Sequence, residues 1–455
     1  MSARNRELLG LFPVAMLVTA GFTGVYAARS ADLGSASLTY GAVFLGLCLA
    51  VHLFIRATLP SADPYVFPLV ALLAAFGLVM IYRIDDALAR QQAGWFVAGI
   101  VLFAATVLWL RDVRVLERYR YVIAAAGIGL LLLPRAPGIG AQVNGAYLSV
   151  DIGPLAFQPT EFAKLCIVVF LASYLTEHGD MLVVGARRVM GVTIPPLKHF
   201  GPLLVVWGAA MVMLVFIRDL GSSLMFFGAF LALLYVATGR ASFVVAGLAL
   251  FLAGAWFFAG TVGHVQERID IWLDPWQDPN DSGFQIAQAL FAQADGGLFG
   301  QGFGQALLEL PGGARIPPAP DTDLIYAVIT SEVGLFGAAG VVITYLLFAE
   351  RGFRIAIMSE DGFSKLLATG LTAVFALQAF VIVGGVTRVI PLTGVTLPFV
   401  SYGGSSVVAN FVLLALLLMV SEQARAPRGA VRSPVVERIS STPNVPRDPA
   451  AVPGS

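Results

Sequence analysis

The stretch DLIYAVITSEVGLFGAAGVVITYLLFA, residues 323–349, is an apolar run broken only by two carboxylates, Asp323 and Glu332. It exceeds the roughly 17–25 residues at which an apolar helix crosses a bilayer. Just before it lies a long polar interruption, residues 262–322, which closes on Asp321-Thr322-Asp323. A carboxylate at the mouth of a membrane helix is costly, so Asp323 is a functional position by default. On a continuous helix, Glu332 would point to the same side as Asp323, two to three turns away, in either a packing or a catalytic role.

The rest of the chain agrees with that reading. Of 455 residues, 58% are hydrophobic and 12% charged, with a mean hydropathy of +0.83, which describes an integral membrane protein. Further apolar runs fall near 9–28, 37–55, 65–82, 93–110, 120–134, 160–177, 199–217, 220–238, 242–260, 364–387 and 399–421. About twelve spans result, an all-α polytopic bundle with one long extracytoplasmic loop. The run at 120–134 is short, and only Arg218-Asp219 separates 199–217 from its successor.

Basic residues near span ends are retained in the cytoplasm. With the N-terminus inside, Arg4, Arg6, Arg111, Arg114, Arg118, Arg120, Arg187, Arg188, Lys198, Arg240, Arg351, Arg354 and the tail arginines all fall inside. The loops at 135–159 and 262–322 then face outward. From residue 422 the composition turns to Arg, Pro, Ser and Ala without hydrophobic period, which reads as a disordered cytoplasmic tail. Residues 1–28 also resemble a signal peptide, ending Val25-Tyr26-Ala27-Ala28, but the apolar stretch is long for that role and a retained helix is preferred.

Several function classes lose support. A net charge of zero, from 28 basic and 28 acidic residues, gives no reason to expect a nucleic-acid partner. The inner loops are too short for a nucleotide-binding module, and Gly300-Gln301-Gly302-Phe303-Gly304 follows no strand and lacks a Lys-Ser/Thr ending, so it reads as a flexible turn. His52, His178, His199 and His264 lack metal-ligand spacing, no Gly-x-Ser-x-Gly occurs, and Cys48 and Cys166 lie in apolar runs that argue against a disulfide framework.

The intramembrane and border charges are the remaining candidates. Glu161 and Lys164, three apart on one helix, either pair with each other or leave Lys164 for an anionic substrate. Asp219 beside Arg218 carries the same two readings. In the outer loop, Trp272-Leu273-Asp274-Pro275-Trp276-Gln277-Asp278-Pro279 runs on to Gly283-Phe284-Gln285. Trp272 and Gln285 fit a carbohydrate site, where aromatic faces cover C–H groups and amides bond hydroxyls. The alternatives are interfacial Trp and Asp-Pro turns.

Residues 391–406, PLTGVTLPFVSYGGSS, resemble the signature of the RodA/FtsW/SpoVE (SEDS) family of cell-wall polymerases. So do Phe157-Gln158-Pro159-Thr160-Glu161-Phe162-Ala163-Lys164, Asp219-Leu220-Gly221-Ser222, and Thr322-Asp323 followed by Glu332-Val333-Gly334, in family order over about residues 65–421. The resemblance implies a SEDS-type membrane domain over 61–421 with 261–322 as its outer loop. It further implies polymerisation of lipid II, an undecaprenyl-pyrophosphate-linked disaccharide pentapeptide, beside a class B penicillin-binding protein transpeptidase. Asp323 falls on the family's essential aspartate, expected as general base or ligand of a divalent cation, Mg or Mn. Glu161, Lys164, Asp219, Thr322, Glu332, Ser401, Tyr402, Gly403 and Gly404 are expected toward the substrate, in a membrane-lipid setting.

Family members commonly have about ten spans, so residues 1–60 look like an added helix pair, most similar to actinobacterial RodA-type proteins. The chain departs from the pattern at Leu148 and Ser149, where Arg and Trp are usual, at Ile217 in place of Gln, and at Ile382 in place of Asn. A lipid-linked precursor flippase and a non-catalytic scaffold for the transpeptidase are the competing functions, since a charged polytopic bundle suits translocation as well.

Overall fold

A computed structural model describes residues 2–28, 36–136, 140–143, 146–152, 155–184, 187–189, 192–194, 220–261, 263–309 and 315–426. The helices are α1 (Ala3–Ala28), α2 (Ala36–Thr58), α3 (Val66–Ile84), α4 (Asp86–Leu110), α5 (Arg120–Leu132), α6 (Thr160–Val184), α7 (Leu220–Thr238) and α8 (Ala241–Thr261). They continue with α9 (Gly263–Leu273), α10 (Phe284–Gly296), α11 (Ile325–Met358), α12 (Gly362–Val386) and α13 (Gly404–Arg425). Among the described residues, nine helices are long and apolar enough to cross a membrane. The expected span at 199–217, together with Asp219 and Ile217, lies outside the described residues.

Helices α3, α6, α12 and α13 bury most of their side chains, whereas α1 and α4 keep most at the periphery. Peripheral Phe12, Val101, Trp109, Leu346 and Phe380 are exposed, as expected where lipid tails are the solvent. Boundaries follow local chemistry. Asp85 ends α3 in extended backbone and caps α4, accepting from the amides of Ala87 at 2.8 Å and Leu88 at 3.3 Å, which satisfies donors the first helical turn leaves open.

The segments read as loops carry more structure than expected. Residues 262–322 contain α9 and α10. The interval 135–159 contains a three-stranded antiparallel sheet, β1 (Gly140–Val143), β2 (Ala146–Ile152) and β3 (Leu155–Phe157), with β2 central. Leu148 and Ser149 sit in β2, Ser149 buried. A second, two-stranded sheet pairs β4 (Arg187–Val189) with β5 (Val192–Ile194). The last helix also runs four residues into the expected tail, because its end is fastened. Arg425 pairs with Asp63, and the Ser61 amide donates to Glu422 at 2.7 Å.

That end of the bundle is an electrostatic knot. Arg4 binds Glu7 and the Ala62 carbonyl, and Glu7 meets His52 Nδ1 at 2.7 Å. Arg351 lies 4.0 Å from Asp63 and over the Tyr65 ring at 4.6 Å. The α1–α2 hairpin is thereby tied to the helices that follow. The opposite end gathers the segments 83–86, 297–309, 315–323 and 387–403, and α6 and α7 both begin there: the Gln158 amide meets Ser405 Oγ at 2.8 Å, and Gly221 packs on Thr393 and Val395.

Candidate active site

Helix α11 is two helices joined at a break. Gly334 has φ 66° and ψ −173°, a conformation open to Gly and strained for any residue with a Cβ. The freed backbone groups must be satisfied, and residues 297–306 do so. Gln301 and Gly302 amides donate to the Ser331 and Glu332 carbonyls at 3.0 and 2.9 Å, while the Leu335 and Phe336 amides donate to Gly297 and Leu298 at 2.9 and 3.2 Å. A Cβ at Gly300 would collide with the Glu332 carbonyl. The glycine-rich run expected to be a flexible turn is instead an ordered plug in a broken membrane helix.

The break also settles Glu332. It is fully buried, held by Arg83 Nε at 3.1 Å and by the Gly304 amide, and Arg83 Nη2 reaches the Ala306 carbonyl at 2.8 Å. The geometric premise that joined it to Asp323 fails at the other end, since α11 starts at Ile325 and Asp323 belongs to the preceding turn. Helical periodicity therefore does not relate the two carboxylates. Glu332 pins the far end of the short segment, whereas Asp323 stands at its mouth.

Around that mouth three stretches converge. Ser401 Oγ donates to the Thr322 carbonyl at 2.7 Å and accepts from the Leu397 amide at 2.9 Å; the Tyr402 amide donates to the Asp321 carbonyl at 2.8 Å. From α4, Gln92 donates to the Ser401 carbonyl at 3.2 Å and accepts from the Gly403 amide at 3.3 Å, and Gln91 accepts the Tyr402 hydroxyl at 2.6 Å. Gly404 lets the chain pass against Trp95. Gly394, at φ 72°, borders the carboxylate itself, and a Cβ there would lie 3.6 Å from Asp323 Oδ2. Asp323 is half-buried, held by backbone contacts on both sides of it and still open to approach.

Arg315 clasps this mouth from outside, 2.8 Å from Asp85 and 3.6 Å from Asp321. Partial burial pushes the Asp85 carboxyl up, but the Ala87 and Leu88 amides and the Arg315 guanidinium outweigh it and hold it below its ordinary value. Burial and the Asp321 charge push the Tyr402 phenol up, against a smaller opposing hydrogen bond with Trp95, so it stays a donor to Gln91.

Lys164 and Glu161 are buried together, Nζ lying 2.5 Å from Glu161 and 2.7 Å from Gln378 Oε1, whose amide nitrogen reaches the Thr396 carbonyl at 2.9 Å. The pair thus supports the 391–403 loop from beneath. Trp272 donates its indole N–H to the Arg388 carbonyl at 3.0 Å, Arg388 returns a bond to the Trp272 carbonyl at 2.9 Å, and Arg268 holds the Leu392 carbonyl at 2.6 Å. Helix α9 therefore clamps the same loop from above, and Gln285 stands exposed on α10. Among the described residues, no three His, Cys, Asp or Glu side chains form a group able to hold a metal ion.

Residues 64–426 match the family described as Cell cycle protein, FtsW/RodA/SpoVE. The chain belongs to this family. It is 40% identical to the peptidoglycan glycosyltransferase RodA of Mycobacterium tuberculosis, over 93% of this chain and 92% of the relative. Stage V sporulation protein E of Bacillus subtilis is 32% identical, over 80% and 98%. Among solved structures, a chain from a study of a peptidoglycan synthase complex that coordinates polymerisation and crosslinking superposes with a TM-score of 0.65 at 26% identity, covering 80% of this chain and 99% of that one. The rod-shape-determining protein RodA of Thermus thermophilus, 24% identical with a TM-score of 0.57 over 80% and 98%, shares the fold.

Within this member of the FtsW/RodA/SpoVE family, the residues that frame the site without a place in the sequence reading include Arg83, Gln91, Gln92 and Gln378, and the Arg315–Asp85 clasp. Arg83 and Gln378 left a signal, since a cation at the end of one apolar run and an amide inside another are both costly in lipid. Gln91 and Gln92 left none, because polar residues at a span border are ordinary.

Proposed function

We propose that Asp323 is the general base of a peptidoglycan glycosyltransferase that polymerises lipid II. The protein is a multi-pass membrane enzyme, and the observation that carries the assignment is the convergence of Ser401, Tyr402 and Gly394 on the turn that carries Asp323, through the Thr322 and Asp321 carbonyls and beside the carboxylate itself. Fixed backbone on both sides holds that carboxylate, which suits a group that must meet a substrate hydroxyl in one geometry.

In the reaction, the 4-hydroxyl of one sugar attacks the anomeric carbon of another. Asp323 takes the hydroxyl proton as the new C–O bond forms, the bond from the anomeric carbon to the diphosphate oxygen breaks, and undecaprenyl diphosphate leaves with the electron pair. Direct displacement inverts the anomeric centre. Gly394 leaves room for the acceptor sugar beside the carboxylate. Lys164 is paired with Glu161, so its contribution is to hold the 391–403 loop through Gln378, and any contact with the leaving diphosphate would require exchange of that partner.

With no group of three His, Cys, Asp or Glu side chains able to hold a metal among the described residues, a divalent cation such as Mg or Mn would be held by Asp323 together with substrate phosphate oxygens, a coordination habit of Mg²⁺, and would offset leaving-group charge. The arginine distribution supports cytoplasmic termini and an outward-facing Asp323, the side on which lipid II is used. The 26% identical structural neighbour from a polymerising and crosslinking complex supports a class B penicillin-binding protein as partner.

The test is purified full-length protein with labelled lipid II, with and without its transpeptidase. Glycan polymer from the native protein and none from D323A is the expected result. Polymer that survives D323A removes the base assignment. Lipid translocation without polymer makes the chain a transporter, and full complementation of a depletion strain by D323A makes it a scaffold.

A further inference from the structure

The α1–α2 hairpin lies outside residues 64–426 that match the family, yet it touches the plug of the broken helix. A Cβ at Gly24 of α1 would stand 3.1 Å from that of Phe303, and one at Gly304 would press into Ala28 and come within 3.4 Å of Val25. Phe303 also meets Phe76 of α3, ring centroids 6.4 Å apart. The residues that follow Gln301 and Gly302, which bond the break, are thus the ones seated on α1.

We propose that the N-terminal hairpin is a positioning element for catalysis, setting Asp323 through the Phe303 plug. The path is continuous: α1 seats Phe303 and Gly304, the Gly304 amide and Arg83 hold Glu332, and Glu332 ends a short rigid helix whose mouth carries Asp323. Residues 325–333 make a rod of about 13 Å at 1.5 Å per residue. Backbone bonds at the break and at Thr322 hold both its ends, so a shift of the plug moves the rod rather than dissipating in a loop. The inference rests on Asp323 as general base, and one of its two readouts does not.

The experiment compares native full-length protein with G24L, F303A and the double variant G24L/F303A. The first readout is polymerisation rate against lipid II concentration. The second is amide hydrogen exchange at residues 297–306 and 325–336. G24L is expected to lower kcat by about tenfold or more, the scale of an ångström-size misplacement, with KM within about twofold of native. It is also expected to deprotect the amides of Gln301, Gly302, Leu335 and Phe336 while α13 keeps its protection. F303A makes room for the larger residue, and the double variant is expected to regain most of both losses. G24A, which adds one carbon, gives the same direction at smaller size should G24L fold poorly.

Native kcat in G24L and G24A overturns the proposal, as does a deprotected plug with full turnover. A loss in which KM and thermal stability fall together, without relief in the double variant, makes the hairpin a structural anchor and equally overturns it. If the native protein forms no polymer, the general-base reading fails first, and the exchange data still decide whether the hairpin sets the plug.

Discussion

Asp323 and Glu332 are the same kind of group, one in the turn before a short helical segment and one near its far end, and their surroundings differ. Glu332 is fully buried, neutralised by Arg83 and bonded to a backbone amide, whereas Asp323 is half-buried at a mouth built from backbone contacts. A buried, paired carboxylate fixes position, since removing one partner leaves an uncompensated charge. A half-buried carboxylate at a span border is placed where a substrate hydroxyl can reach it. The difference suits Glu332 to framework and Asp323 to the proposed chemistry, nine residues apart.

The strongest way to break this comparison is D323N, which keeps size and removes basicity. Polymerisation in a labelled lipid II assay is expected to fall by about 10²–10⁴-fold, the usual worth of a general base, with an unchanged melting temperature. Loss of fold alongside activity would give Asp323 the role assigned to Glu332. For Glu332 the expectation reverses. E332A should cost about 3–5 kcal/mol as a broken buried pair, read as lowered unfolding temperature in detergent. A double variant R83M/E332M should recover much of it, because charge and countercharge leave together. Recovery of stability with activity still lost would sharpen the division, placing Arg83–Glu332 in positioning.

Lys164 offers a smaller test of the same kind. K164M should destabilise the buried Glu161–Gln378 cluster, and the coupled variant K164M/E161M is expected to restore stability more than turnover. Equal restoration of both would reduce the cluster to packing.

The smallest effect belongs to the exposed clasp. Asp85 has its carboxyl pKa held below the ordinary value in the folded protein, so the native state binds its proton less readily than the unfolded chain. Its contribution is therefore present above the unfolded pKa and is lost as pH falls through the folded one. R315A should cost under about 1 kcal/mol, as surface pairs do, and flatten the acid limb of a stability-against-pH curve. An unchanged acid limb would remove Arg315 from the clasp.

Part of this was legible beforehand for physical reasons. A long apolar run with a carboxylate at its head is expensive wherever it folds, so Asp323 was identifiable from cost alone. Ser401 and Tyr402 came with the 391–406 segment, although their bonds to Thr322 and Asp321 did not. Glu332 was visible but misplaced relative to Asp323, because helical periodicity holds only within the helix and Asp323 lies in the turn before it. Trp272 fitted a sugar-stacking surface by chemistry, and only coordinates reveal its indole on the Arg388 carbonyl. Gly300 through Gly304 read as a turn because nothing local marks a partner about thirty residues along the chain.

By itself the sequence determined the solvent, the approximate span pattern and the family, and singled out the candidate carboxylate, since these follow from composition, run length and motif. Tertiary structure decided how that carboxylate is held. The helix break at Gly334, the plug that fills it, the Gln92 and Gln378 supports and the seat of Phe303 on α1 each join residues far apart in the chain. Their backbone groups are unsatisfied until those partners arrive, and no local pattern records who the partners are.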